Sequence, residues 1–188
     1  MKYILATQNK GKVKELCKIL SEDEIVTMGE AGFVGEIVED GDTFEENALI
    51  KARTVCKKMG VPTIADDSGL EVYALDMRPG IYSARYAGED ATDEERVIKI
   101  LSELQGKEDR RGRFVCAAAA CFPDGREIVC KGTLEGVMMD SPKGDGGFGY
   151  DPIFKPEGYD KTMSEMTAEE KNAISHRKIA FEKLKKEI

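Results

Sequence analysis

Three of the Thr-x-x-Glu segments in this chain precede helical patterns and indicate where helices begin. They are Thr43-Phe-Glu-Glu46, Thr92-Asp-Glu-Glu95 and Thr167-Ala-Glu-Glu170. In such a capping box, the threonine and the glutamate side chains each accept a hydrogen bond from the other residue's backbone N–H. These bonds satisfy two of the donors that a helix N-terminus leaves without a partner. The boxes therefore predict three helices and leave the segments between them to further helices, short strands and turns.

Apolar runs of strand length are interleaved with these helices. Pro123-Asp-Gly125 lies between two such runs and favours a β-hairpin, and the spacing of apolar residues after Asn9 predicts another helix. The predicted strands are Lys2–Ala6, Ile25–Met28, Pro62–Ala65, Leu70–Leu75, Arg113–Cys121 and Arg126–Leu134. This order predicts a mixed α/β fold, and we expect the chain to form a single domain, residues 1–188.

Charge is unevenly distributed along this acidic chain. Its 36 acidic and 28 basic side chains give a formal net charge of −8, which argues against binding nucleic acid or an anionic membrane through bulk electrostatics. Residues 1–20 contain five lysines and one acid, and residues 171–188 contain six bases and two acids, so each segment carries +4. Residues 21–50 contain ten acids and no base. The two positive segments suggest a small anionic ligand.

Composition also predicts where the protein resides. There is no run of 18 apolar residues, so we expect no membrane span, and the first residues become polar too soon for a signal peptide. The five cysteines are an odd number without a C-x-x-C pair, which favours reduced thiols in a cytoplasmic protein. The single histidine, His176, makes a zinc site unexpected.

The first strand and helix are joined by Ala6-Thr-Gln-Asn-Lys-Gly-Lys12, which nearly matches a phosphate-binding P-loop. Ala6 and Val13 break that motif, so the literal P-loop is excluded. Lys10, Lys12 and Lys14 nevertheless lie at a helix N-terminus, where the helix dipole disfavours positive charge. A bound anion would compensate, and these ammonium groups with the backbone N–H groups of the turn would hold a triphosphate. The alternative is that the lysines are simply solvated.

Two adjacent carboxylates, Asp66 and Asp67, follow an apolar strand and precede Ser68 and Gly69. Their repulsion favours a cation or a proton between them, and Mg²⁺ is the cation that oxygen ligands and phosphates share. Because neighbouring residues of an extended segment point to opposite faces, only one of the two is expected to reach the metal. An Asx turn that ends the strand is the alternative interpretation.

Further candidates come from a helix and from the acidic stretch before it. The stretch Glu36–Glu46 contains Glu39 and is otherwise expected to be a solvated surface. On the following helix, Asn47 and Lys51 are four residues apart and are expected to face a cleft.

Residues 144–149 formally match the dinucleotide-binding pattern G-x-G-x-x-G. The sequence that follows, Tyr-Asp-Pro, cannot begin a helix, so the dinucleotide interpretation fails. We predict instead a flexible loop whose Phe148 or Tyr150 stacks on a flat ligand, with a plain turn and a core aromatic as the alternative. Ser175 is expected to interrupt the last helical segment. The next two residues, His176 and Arg177, could then act with Lys171 as donors to a base oxygen and a phosphate.

Six motifs in order and at matching spacing resemble the inosine triphosphate pyrophosphatase family, the XTP/dITP diphosphatases. The resemblance extends from residue 3 to about residue 180, and its one visible departure is Gln8, where a small residue is expected. The motifs are Thr7-x-Asn9-x-x-Lys12, Thr43-Phe-x-Glu-Asn-Ala48-x-x-Lys51-Ala52, Ala65-Asp-Asp-Ser-Gly69, Pro79-Gly-Ile-Tyr-Ser-Ala-Arg85, Gly147-Phe-Gly-Tyr-Asp-Pro152 and Ser175-His-Arg177.

The resemblance implies a fold, an activity and a set of site residues. The implied fold is a long twisted mixed sheet flanked by helices, with two lobes and a cleft between them, in a homodimer. The implied activity is the Mg²⁺-dependent hydrolysis of ITP, dITP and XTP to the monophosphate and pyrophosphate, which cleanses the nucleotide pool. Asp67 would be general base and metal ligand, and Glu39 would be the second ligand. The implied substrate-binding residues are Thr7, Gln8, Asn9, Lys10, Gly11, Lys12, Lys51, Ser68, Phe148, Gly149, Tyr150, Asp151, Lys171, His176 and Arg177.

Two other interpretations remain open at this point. One is a related pyrophosphatase that acts on pyrimidine or modified nucleotides. The other is a nucleotide-binding module or sensor without catalysis, which the retention of Asp67 beside other carboxylates disfavours.

Overall fold

Six strands and five α-helices alternate along the chain in the computed structural model, which describes residues 1–188. Three short 3₁₀ turns lie between them, at Tyr73–Leu75, Gly80–Arg85 and Asp151–Ile153. The strands are β1 (Lys2–Leu5), β2 (Glu24–Thr27), β3 (Thr63–Val72), β4 (Arg111–Cys121), β5 (Glu127–Met138) and β6 (Phe154–Pro156). The helices are α1 (Lys10–Ile19), α2 (Phe44–Met59), α3 (Asp93–Leu104), α4 (Ala168–Ile174) and α5 (His176–Glu187).

The strands form one six-stranded sheet in the order β2-β1-β3-β4-β5-β6. β1 is parallel to β2 and to β3, with Ile4 opposite Thr63, whereas β5 and β6 are antiparallel, with Met138 opposite Phe154. A short turn joins β4 to β5 and is closed by a bond from the Phe122 N–H to the Arg126 carbonyl, 3.0 Å. The predicted mixed α/β fold and the predicted hairpin are therefore confirmed.

The three predicted helix starts are correct, but only two of the capping boxes are complete. Thr92 and Thr167 each exchange both capping hydrogen bonds with the glutamate three residues later. Thr43 accepts a bond from the Glu46 N–H, whereas the Glu46 carboxylate accepts from the Asp42 N–H at 2.7 Å. The preceding loop folds back over α2, since the Gly41 N–H donates to Asn47 Oδ1 at 2.9 Å, and this brings the Asp42 N–H within reach.

The sequence around Asp66-Asp67-Ser68-Gly69 forms one continuous strand, β3, so the prediction of two strands separated by a turn is wrong. An Asx turn is favoured when a carboxylate has no better partner than its own backbone. Here Asp66 lies 3.0 Å from Lys12 Nζ and Asp67 lies 3.4 Å from Lys51 Nζ. These long-range partners leave the backbone free to pair with neighbouring strands.

The chain groups into two compact units, and each has its own apolar core. Unit 1 comprises Met1–Asp67, Cys116–Gly132 and Arg177–Ile188, and unit 2 comprises Ser68–Val115 and Thr133–His176. The core of unit 1 includes Leu5, Leu16, Ile64, Phe181 and Leu184, and that of unit 2 includes Val72, Ile100, Leu104, Phe154 and Met163. The assignment of residues 1–188 to a single domain stays a prediction.

The C-terminal helical segment is interrupted at Ser175, as predicted, where α4 ends and α5 begins. None of the helices combines the length and the apolar character that crossing a membrane requires.

Candidate active site

The turn between β1 and α1 is held by its own side chains. Asn9 caps α1, since its Oδ1 accepts hydrogen bonds from the Gly11 and Lys12 N–H groups at 3.0 and 3.2 Å. The Asn9 N–H in turn donates to Thr7 Oγ1 at 3.2 Å. Gln8 and Lys10 are exposed. The first turn of α1 thus presents a fixed backbone to solvent, with lysines beside it.

The lysines of this helix have different environments. Lys10 and Lys14 are exposed, whereas the Lys12 side chain is only 14% exposed and its Nζ lies 3.0 Å from Asp66 Oδ2. For Lys12, therefore, the protein itself supplies part of the compensating negative charge. Triphosphate binding by residues 7–12 stays a prediction.

Asp66 belongs to a buried cluster of charges within unit 1. It has no exposed surface, and its Oδ2 lies 3.2 Å from Nε of Arg177, a side chain that is 2% exposed. Arg177 Nη1 also donates to the Glu15 carboxylate. Burial acts to lower the pKa of Arg177, but the carboxylates of Asp66 and Glu15 outweigh it and raise that pKa above its usual value. Arg177 is therefore a permanently charged partner of these two carboxylates.

Asp67, the next residue of β3, has a different set of partners. Lys51 Nζ lies 3.4 Å from Asp67 Oδ1 and 2.6 Å from Glu39 Oε1. Asp67 Oδ2 is buried and has no hydrogen-bond partner. Burial raises the pKa of the Asp67 carboxyl above its usual value, and the ammonium groups of Lys51 and Lys12 oppose this rise. The structure thus brings Glu39, Lys51 and Asp67 together, and the role of Asp67 as general base stays a prediction.

Lys51 is almost completely buried among these carboxylates. Burial acts to lower its pKa, but Asp67, Asp66 and Glu39 reverse the effect and raise the pKa above its usual value. Lys51 is therefore a cation that joins the two carboxylates predicted to bind metal.

Glu39 and Asp67 suit a magnesium ion that is shared with a substrate. The structure contains no cluster of three or more histidine, cysteine, aspartate or glutamate side chains able to hold a metal by themselves. Mg²⁺ commonly takes only one or two carboxylates from the protein and completes its coordination with water and phosphate oxygens. Asp67 Oδ2 is an oxygen without a partner, so the donor set fits this mode of binding.

In unit 2 the glycine-rich loop is anchored on a buried ion pair. Lys171 Nζ lies 2.6 Å from Asp151 Oδ2, and the same oxygen accepts a hydrogen bond from the Phe148 N–H at 3.0 Å. Gly147 has a φ of 69°, and a Cβ at this position would overlap Asp151 Oδ2. The Gly149 N–H donates to Asp93 Oδ2 at 2.9 Å. These bonds anchor the loop at Phe148 and Gly149, and the flexibility expected of the loop stays a prediction.

The two aromatic residues of this loop differ in exposure. Phe148 is half-buried and its ring centroid lies 4.5 Å from Lys171 Nζ, so its ring remains a candidate for stacking on a base. Tyr150 is 5% exposed, packs in the core of unit 2 and donates from its hydroxyl to the Ser83 carbonyl at 2.7 Å. The alternative interpretation, a core aromatic, therefore describes the Tyr150 side chain.

His176 and Arg177 are adjacent in sequence but make different contacts. The His176 ring stacks on Phe114, with centroids 5.0 Å apart and planes at 20°, whereas the Arg177 guanidinium is buried with Asp66 and Glu15. Ser68 is half-buried on β3. The base-binding roles of Lys171, His176 and Arg177 stay predictions.

Sequence reasoning missed Glu15 and Asp93. Glu15 is 7% exposed, and its position three residues after Lys12 on the same helix face was the available signal. Asp93, in the first turn of α3, was counted only as part of a capping box.

Comparison with known proteins gives a consistent result over almost the whole chain. The model of the Ham1 family matches residues 3–187. The dITP/XTP pyrophosphatase of Bacillus subtilis (strain 168) is 50% identical over 187 residues, covering 97% of this chain and 94% of that protein. The dITP/XTP pyrophosphatase of Geobacter sulfurreducens is 47% identical over 188 residues, covering 98% and 94%. The solved Ham1 proteins of Staphylococcus aureus and Coxiella burnetii each have a TM-score of 0.89 and 42% identity, covering 98% of this chain and 96% of theirs.

The buried charge cluster makes a direct prediction about stability. Arg177→Met removes the cation but leaves Asp66 and Glu15 buried, so we expect it to lower the free energy of unfolding by about 3–5 kcal/mol. Urea denaturation measures this value. Lys2→Met is the matched control, because Lys2 pairs with Glu24 on the surface, and exposed pairs contribute little. Equal effects of the two substitutions would contradict the assignment of Arg177.

Proposed function

Because the chain belongs to the Ham1 family, we propose that it hydrolyses non-standard purine nucleoside triphosphates. ITP, dITP and XTP are converted to the monophosphate and pyrophosphate, which removes them from the nucleotide pool. The observation that carries this proposal is the grouping of Asp67 with Lys51 and Glu39, since it provides a base and carboxylate ligands in one place. The names of the similar proteins support the substrate class.

The phosphates are bound by the turn between β1 and α1, and cleavage involves Asp67 of β3. The N–H groups at the start of α1 and the ammonium groups of Lys10 and Lys12 bind the triphosphate, because a helix N-terminus favours negative charge. Asp67 orients a water molecule toward the α-phosphorus and accepts its proton on the carboxylate. Its raised pKa makes it a stronger base than an exposed aspartate. Pyrophosphate then leaves.

Glu39 and Asp67 are the residues that would hold Mg²⁺. When bound, Mg²⁺ draws negative charge away from the phosphates and so eases the approach of the water molecule. Lys51 adds a second positive charge beside the same carboxylates.

The base is bound by the glycine-rich loop and by residues near the end of α4 and the start of α5. Phe148 stacks on the purine, and the buried pair of Lys171 and Asp151 holds the loop that carries it. Donors from Lys171 and His176 select a purine with an oxygen at position 6, because the amino group of adenine would leave those donors without an acceptor.

The remaining parts of the proposal concern assembly and location. We infer a cytoplasmic homodimer that does not bind nucleic acid. The resemblance supports the homodimer, and the net charge of −8 supports the absence of nucleic acid. Five free cysteines are consistent with a reducing compartment.

Asp67→Asn tests the base directly. The amide keeps the size of the side chain but cannot accept the proton, so we expect kcat for ITP to fall by about 10²–10⁴-fold while nucleotide binding remains measurable. Steady-state kinetics and calorimetric titration of ITP give the two values. Asp160→Asn is the control, because Asp160 is exposed. Turnover near the wild-type level would rule out Asp67 as the base.

A substrate panel tests the reaction and the substrate class. The protein is incubated with Mg²⁺ and with ITP, XTP, dITP, ATP, GTP or a pyrimidine triphosphate, and the first phosphorus-containing product is identified. We expect pyrophosphate as that product, from the first three nucleotides preferentially. Orthophosphate as the first product would contradict the cleavage position. Preference for a pyrimidine would support the related class, and binding without turnover would support a sensor.

A further inference from the structure

We propose that Asp66 is a positioning residue that holds the Lys12 ammonium for phosphate binding, and that Arg177 and Glu15 fix Asp66 for this task. The inference deepens the proposed function and rests on it, because that function has Lys12 bind the triphosphate. Asp66 and Glu15 act through Lys12 and do not touch the substrate themselves.

The contacts form a continuous series of ion pairs within unit 1. Asp66 Oδ2 lies 3.0 Å from Lys12 Nζ and 3.2 Å from Arg177 Nε, and Arg177 Nη1 donates to the Glu15 carboxylate. An ammonium group has three N–H donors, so the ion pair with Asp66 does not use all of them. The Lys12 side chain is 14% exposed, so it is not closed off from solvent.

A lysine needs such an anchor more than most cations do. Its four-carbon stem has many rotamers, and binding a phosphate with a mobile ammonium loses that conformational entropy at the moment of binding. A carboxylate that cannot move restricts the ammonium beforehand. Asp66 meets this requirement, because it has no exposed surface and is joined to a buried arginine.

Glu15 completes the arrangement. It lies three residues after Lys12 on α1, so both side chains are on the same face of that helix. The two cations and the two carboxylates balance in charge. Because Arg177 also pairs with Glu15, Asp66 remains available to pair with Lys12. One helix therefore presents both ends of the series.

A purely electrostatic role for Asp66 makes the opposite prediction. If Asp66 only masked the charge of Lys12, its neutralisation would increase the positive potential and strengthen anion binding. If Asp66 positions Lys12, its neutralisation would weaken anion binding. The sign of the change in anion affinity therefore distinguishes the two roles.

Tripolyphosphate is the probe, because it resembles the phosphate chain and lacks the base and sugar. Its dissociation constant is measured by calorimetry on the full-length protein and on Asp66→Asn, Lys12→Met and the double variant. We expect Asp66→Asn to weaken binding about tenfold, as the loss of one charge-assisted hydrogen bond would. In the Lys12→Met background, Asp66→Asn is expected to have no further effect. In turnover of ITP, Asp66→Asn should raise KM about tenfold and change kcat less than about threefold.

Glu15→Gln keeps the test available if Asp66→Asn does not fold. It leaves Asp66 in place, and we expect weaker binding of tripolyphosphate in the wild-type background and no effect in the Lys12→Met background. Glu24→Gln is the matched control, since Glu24 pairs with Lys2 on the surface, and it should bind tripolyphosphate as the wild type does.

Two results would overturn this inference. One is unchanged or tighter binding of tripolyphosphate by Asp66→Asn and Glu15→Gln. The other is an equal loss of tripolyphosphate affinity from these substitutions whether or not Lys12 is present. The carboxylates would then act on the structure as a whole and not through Lys12. A wild-type protein that does not convert ITP would instead contradict the proposed function, so the two failures are distinguishable.

Discussion

The ion pair between Asp66 and Arg177 is the interaction on which the rest of the site depends. A carboxylate without exposed surface is tolerated only with counter-charges close by, and here they come from Lys12 on α1 and from Arg177 at the start of α5. These contacts therefore tie two separate parts of the chain, α1 and α5, to one residue of β3. They also fix the orientation of the next residue, Asp67, because neighbouring side chains of a strand point to opposite faces.

This alternation gives two chemically identical residues different roles. Asp66 pairs with Lys12 and Arg177, whereas Asp67 keeps a buried oxygen without a partner and lies beside Lys51. Local placement of cations also makes the proposed binding of a triphosphate compatible with a net charge of −8. The lysines at the start of α1 act at short range. There the distance between an ammonium group and a phosphate affects their attraction more than the total charge of the protein does.

The structural features that could be predicted are those formed by residues close to one another along the chain. The capping boxes at Thr92 and Thr167, the hairpin turn and the interruption at Ser175 are local, and all were predicted correctly. The continuity of β3 was not predictable, because Asp66 is satisfied by Arg177, 111 residues away. The anchoring of the glycine-rich loop was not predictable for the same reason, since it depends on the pair formed by Lys171 and Asp151.

The central claim is that water attacks the α-phosphorus of the nucleotide. A single turnover of ITP in H₂¹⁸O, with mass spectrometry of both products, tests it most directly. Attack at the α-phosphorus places the ¹⁸O atom in the monophosphate and leaves pyrophosphate unlabelled, and this is the result we predict. The label in pyrophosphate would mean attack at the β-phosphorus and would contradict the account.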